Sequence, residues 1–141
     1  MEYAVHVLLA RTTHAVQNHL RPHLSKLGLS LGQPKILRCL VHLGPCSQRM
    51  LADCCEVDPS AICRILDTLE RDGFLTRRPS QTDRRTGEVS ITDKGREAFA
   101  AWEDQCQTLE DQMLHDFSPE ERAQLRDFLT RAYRNVGGRL L

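Results

Sequence analysis

The chain has no excess of charge, few aromatic residues and no long apolar run, and each shortage excludes something. Its 19 Lys+Arg balance 19 Asp+Glu, so no overall positive field draws it to nucleic acid. Aromatic residues make up only 5% of it, and no stretch approaches the roughly 20 consecutive apolar residues of a membrane helix. No charged-then-apolar-then-small leader opens it, so a cytoplasmic protein with no membrane partner is expected. Six cysteines stand at 39, 46, 54, 55, 63 and 106, never as C-x-x-C, which argues against a zinc ribbon and leaves reduced thiols as the default. Nor is there a nucleophile–base pair, a phosphate-cradling glycine loop or a metal triad. An enzyme is not expected, and neither is a cofactor or a metal centre.

What is present is a chain of 141 residues, 40% of them hydrophobic, enough for one sizeable core and most simply one domain, 1–141. The balanced charge is unevenly placed. From Arg77 to Arg85 four arginines face one aspartate, whereas from Glu97 to Asp127 nine acids face two arginines. One end is basic and the other acidic.

The basic end follows the most legible stretch, residues 58–96. Asp58-Pro59-Ser60 starts a helix, with an acceptor side chain before the first turn and a proline where its missing N–H costs nothing. Ile62, Ile65, Leu66 and Leu69 form its apolar stripe, leaving Ser60, Ala61, Arg64 and Thr68 on other faces, and Asp72-Gly73 stops it. Leu75 to Arg78 and Glu88 to Ile91 are short enough for strands, with Pro79, Ser80, Asp83 and Gly87 punctuating the span between them. Arg77, Arg78, Arg84 and Arg85 sit at the base and tip of this hairpin and would attract phosphate.

Upstream, residues 3–27 read as one long helix with Pro22 as its obstacle and Gly28 as its end. Ser30 to Gln33 fits a capping box before a second helix burying Ile36, Leu37, Leu40, Val41 and Leu43. Ser47 opens a short third helix through Cys54, and the turn 55–58 leads to the Pro59 helix. Two short helices across a tight turn make a helix-turn-helix, and the hairpin is then its wing. Downstream, Thr92 caps a helix carrying Phe99, Trp102, Cys106, Leu109 and Met113 at the spacing of a helix that packs along another, read as far as Phe117. Ser118-Pro119-Glu120-Glu121 starts the last helix, with Leu125, Phe128, Leu129, Ala132, Tyr133 and Val136 as its stripe and Gly137-Gly138 as its end. The expected fold is mainly α: a winged helix-turn-helix core over about 30–96 with a two-stranded wing, flanked by terminal helices over about 3–27 and 92–138. One copy has too little core to cover both terminal stripes. A symmetric homodimer is expected.

In these residues the chain resembles the MarR family of bacterial transcriptional regulators over nearly all its length. The most specific part is Asp83-Arg84-Arg85 followed by Val89-Ser90-Ile91-Thr92-Asp93-Lys94-Gly95, similar to the family's D-x-R wing signature, with Ile91 in place of the usual leucine. Gln48-x-x-Leu51-Ala52, Asp58-Pro59-Ser60-x-Ile62-x-Arg64, Leu69-Glu70-x-x-Gly73-Phe74-Leu75 and Ser118-Pro119-Glu120-Glu121 support it. The resemblance implies a homodimer on a pseudo-palindromic operator in double-stranded DNA, with the Pro59 helix in the major groove and Arg85 at the adjacent minor groove. The DNA-binding residues would be Ser60, Ala61, Arg64, Thr68, Arg77, Arg84 and Arg85, with Asp83 orienting Arg85. Ala61 and Cys63 stand where family members commonly carry hydroxyls, which shifts readout toward thymine methyls. Asp67 could pair with a wing arginine or support its own helix, and is read as structural.

The family is typically released from DNA by a small-molecule effector or by cysteine oxidation. By that likeness Arg11, His14 and the second helix would wall an effector pocket. Cys54, Cys55 and Cys63 are the candidate redox thiols, where oxidation or metal binding would distort the reading helices, weighed against cysteine packing as a small hydrophobe, as expected of Cys39 and Cys106. His19 and His23 share a helix face but lack a further ligand at matching spacing. The rival function is a winged-helix protein-interaction module, for which the zero net charge speaks. The arginine-rich wing speaks against it, and salt dependence separates the two.

Overall fold

The computed structural model describes residues 1–81 and 87–140, which form two compact units, Met1–Cys106 and Gln107–Leu141. Among the described residues, six helices and three strands run in the order α1 (Val5–Leu27), α2 (Gln33–Leu43), β1 (Cys46–Ser47), α3 (Gln48–Cys54), α4 (Pro59–Arg71), β2 (Leu75–Pro79), β3 (Gly87–Ile91), α5 (Asp93–Met113) and α6 (Pro119–Asn135). None of the described helices is long and apolar enough to cross a membrane.

The core of the first unit lies where α2, α3, α4 and the sheet meet. Ile36, Leu37, Leu40, Leu51, Ile62, Leu66, Leu69, Phe74, Leu75 and Val89 are all buried there, and each large side chain contributes about 1.5–3 kcal/mol. That outweighs any single cap, each worth about 1 kcal/mol. Caps set the boundaries instead. Asp58 accepts the Ser60 N–H at 2.8 Å, and Ser47 accepts the Met50 N–H at 3.1 Å.

Several boundaries differ from the sequence expectation. α2 starts at Gln33 behind Gly32, and only half of the expected capping box forms: the Gln33 side chain accepts the Ser30 N–H at 2.8 Å, while no side chain caps the helix itself. Val41 and Leu43, expected in the core, are exposed, because the buried face turns through Ile36, Leu37 and Leu40. The wing gains a third strand. β1 pairs with β3 antiparallel, Cys46 opposite Val89, giving the order β1-β3-β2, and β2 pairs with β3 from Leu75 opposite Ile91 to Pro79 opposite Gly87. A two-residue strand carries no alternation to read.

The corner between β3 and α5 is closely packed. Thr92 caps α5 as expected, its hydroxyl accepting the Gly95 N–H at 3.1 Å and donating to the Gly73 carbonyl at 2.7 Å. A Cβ on Gly95 would stand 2.1 Å from the Phe74 carbonyl oxygen, so only glycine lets the helix lie this near the strand. Trp102 is buried in the single chain, whereas the sequence placed it on a stripe left for a partner.

In the second unit α5 ends at Met113, short of Phe117, and Arg122 fastens the turn that follows by donating to the Leu114 carbonyl at 2.8 Å. The α6 capping box is complete: Ser118 accepts the Glu121 N–H at 3.1 Å, and Glu121 accepts the Ser118 N–H at 2.9 Å. Yet α6 buries none of its residues, and Phe128 (57%) and Val136 (84%) are largely exposed.

Candidate nucleic-acid interface

α3 and α4 are joined by the turn 55–58, where Glu56 takes a left-handed conformation (φ 51°) and the Val57 N–H reaches back to the Ala52 carbonyl at 2.9 Å. This closes α3 without the glycine that usually marks such an end. Across the two helices the Gln48 amide donates to the Cys63 sulfur at 2.7 Å.

At about 100° per residue, Ser60, Ala61, Arg64 and Thr68 span one quadrant of α4, nearly opposite Ile62, Leu66 and Leu69. The structure brings these four sequence-predicted residues onto one face, with Ser60 and Arg64 exposed and Ala61 and Thr68 half-buried. Two of the hydroxyl protons are already committed. The Ser60 hydroxyl donates to Asp58 at 2.7 Å, and these bonds hold the Asp58 carboxyl below its usual range. The Thr68 hydroxyl donates to the Arg64 carbonyl one turn back, at 3.2 Å.

Arg77 is the wing arginine that meets Asp67. Its guanidinium bonds Asp67 at 2.5 Å and Glu70 at 3.0 Å, and its backbone N–H bonds Glu70 at 2.9 Å, so it clasps β2 to α4. The hydrogen bonds from Arg77 hold Glu70 below the usual carboxylate range. Its side chain is 27% exposed and faces two carboxylates of its own protein. The signal was available: Asp67 and Glu70 share a helix edge three residues apart. Arg78 is exposed. Asp83, Arg84 and Arg85 lie outside the described residues.

Around these helices the thiols separate into two groups. Cys63 is exposed on α4, whereas Cys54 and Cys55, at the end of α3, meet Cys39 of α2. Burial pushes the thiols of Cys39 and Cys54 up to about 11 and raises those of Cys46 and Cys55. The expected effector walls are only partly together. Arg11 and His14 line an open hollow with Ala10, Thr12, Ala15 and Asn18, all from α1, and α2 supplies none of that lining. His14 and Asn18 bond each other at 3.0 Å.

A helix-turn-helix whose second helix shows a polar quadrant to solvent, backed by an antiparallel wing, defines the winged class of DNA-binding regulators. Comparison with known proteins agrees. The MarR family model matches residues 29–86. An HTH-type transcriptional regulator of Bacillus subtilis that is itself uncharacterised, YdgJ, is 33% identical over 109 residues, covering 77% of this chain and 66% of its own length, just under two thirds. The HTH-type transcriptional regulator BilQ of Clostridium symbiosum is 32% identical over 108 residues, 74% of this chain and 73% of that protein. In fold, a cysteine-to-serine mutant of MarR from E. coli complexed with operator DNA superposes with a TM-score of 0.80 at 23% identity, over 91% of this chain and 92% of that one. The chain belongs to the MarR family of helix-turn-helix transcriptional regulators, a family of DNA-binding proteins rather than enzymes.

Proposed function

We propose that the protein is a homodimeric repressor of a pseudo-palindromic operator in double-stranded DNA, with α4 in the major groove and the wing tip at the adjacent minor groove. The α4 quadrant carries this reading: Ser60, Ala61, Arg64 and Thr68 face away from a core stripe that fixes the helix in place. With its proton held by Asp58, the Ser60 hydroxyl is left to accept, which suits a cytosine or adenine amino group better than a phosphate. Arg64 is long enough for a guanine edge or a phosphate. Arg84 and Arg85, oriented by Asp83, enter on the wing signature in the sequence. Arg77 is assigned to positioning the wing on α4.

The uncovered apolar residues at the two ends support the dimer. Val5 and Leu8 on α1 and Phe128 and Leu129 on α6 are exposed, each by more than 40%. A two-fold dimer would cover them and present two reading heads to a palindrome. Release comes from a small-molecule effector at the α1 hollow or from oxidation of the thiols beside α4. The test is an electrophoretic shift with DNA from upstream of the protein's own coding region, run at several salt concentrations, reduced and oxidised. A specific shift that weakens steeply with salt is expected. A salt-indifferent association, or none with any upstream fragment, would overturn it in favour of a protein-interaction module.

A further inference from the structure

Three sulfurs from two helices converge where α2 meets the end of α3. The Cys55 thiol points to the Cys39 sulfur at 3.2 Å and to the Lys35 carbonyl at 3.7 Å, and the sulfurs of Cys39, Cys54 and Cys55 all lie within 4.8 Å of one another. We propose that these three thiols form a binding site for a closed-shell thiophilic cation, Zn2+ or Cu+.

The geometry is close to what such an ion requires. With metal–sulfur bonds of about 2.3 Å, a trigonal site places its sulfurs about 4.0 Å apart, between the 3.2 Å from Cys55 to Cys39 and the 4.8 Å that bounds all three. Small side-chain rotations suffice. The donor set is equally specific, since sulfur alone selects soft ions over magnesium or calcium, which demand oxygen. Three thiolates complete a trigonal Cu+ site and leave one position for water on Zn2+. Cys54 and Cys55 are half-buried, so an ion can reach them, while the buried Cys39 anchors the site in the core.

Binding is a proton exchange. Three S–H bonds break, three metal–sulfur bonds form, and three protons leave to solvent with no change of oxidation state. The site lies at the hinge of the reading head. Cys55 ends α3 and begins the turn to α4, so a bound ion ties that turn to α2. The regulatory consequence, a metal-dependent operator affinity, rests on the DNA-binding reading above; the site itself does not.

The test titrates the full-length reduced protein, held in a phosphine reductant, with Cd2+ as a spectroscopic substitute for Zn2+, and separately with buffered Cu+. A sulfur-to-metal charge-transfer band saturating at one ion per chain is expected with either ion, lost in Cys54→Ser and in Cys55→Ser and kept in Cys106→Ser. Circular dichroism confirms that each variant is folded, and Cys39→Ser is informative only if it is. A band that survives both substitutions, or no band, overturns the site. Operator affinity is then measured with and without Zn2+, where coupling of this kind changes it by about 5- to 150-fold. An operator shift of equal strength in both overturns the regulatory half alone. Absence of any shift is a failure of the DNA-binding reading, visible separately from the absorbance titration.

Discussion

Replacing Gly95 with alanine adds one methyl group at the corner where the wing meets α5. The new Cβ would stand 2.1 Å from the Phe74 carbonyl oxygen and 2.7 Å from Ile91 Cγ1. Even a close carbon–oxygen contact keeps about 3.3 Å, so the strand and helix must part by about 1 Å. The obstacle is backbone and cannot swing aside. Parting them stretches the bond from the Thr92 N–H to the same Phe74 oxygen, now 3.1 Å. Overpacking of this kind costs about 1–3 kcal/mol, and the weakened hydrogen bond about 1 kcal/mol more. Alanine's better helix propensity returns about 1 kcal/mol. The expected result is a net loss of about 2 kcal/mol, read as a urea midpoint lower by about 1 M at a typical slope of about 2 kcal/mol per molar. A midpoint that is unchanged or higher, with unchanged slope, would show that propensity dominates and that the contact is not the reason for glycine.

Three further outcomes are expected. Arg64→Ala and Arg85→Ala should each weaken operator binding by about 1–3 kcal/mol in a fluorescence titration while leaving the fold intact, and Arg77→Ala should instead lower thermal stability; an Arg77→Ala protein of native stability with the larger binding defect would reverse those roles. Phe128→Glu, on the exposed face of α6, should sediment as a folded monomer, and a persistent dimer would remove α6 from the interface. Glu70 titrates below its usual 4.5 when folded, so its bond to Arg77 stabilises above that pH and is lost as pH falls through the folded value. Chemical denaturation between about pH 5 and about pH 3 should therefore show a larger acid-linked loss in the native protein than in Glu70→Gln, by only about 0.5 kcal/mol because the carboxylate is over a third exposed.

Local chemistry made much of the fold legible. Asp58-Pro59-Ser60 and Ser118-Pro119-Glu120-Glu121 announce their helices because a cap is a property of adjacent residues. The α4 face could be divided into core and solvent sides because its apolar residues recur at helical spacing. What escaped depends on distance along the chain. β1 exists only because β3 lies beside it, and Glu56 ends α3 in a conformation that sequence assigns to glycine. Which wing arginine Asp67 would meet was not legible, because Arg77 stands seven and ten residues from its two carboxylates on another element. Cys39 read as core filling because Cys54 and Cys55 meet it only after α2 and α3 pack.

The clasp from Arg77 to Asp67 and Glu70 makes the helix and the wing strand a calliper of fixed span. In the proposed operator complex, the base of the hairpin is then held against α4 before any duplex arrives. Bending or twisting of the DNA must supply any mismatch, and those deformations differ in cost between sequences. In the proposed operator complex, an arginine that holds the wing would thereby help to choose the sequence.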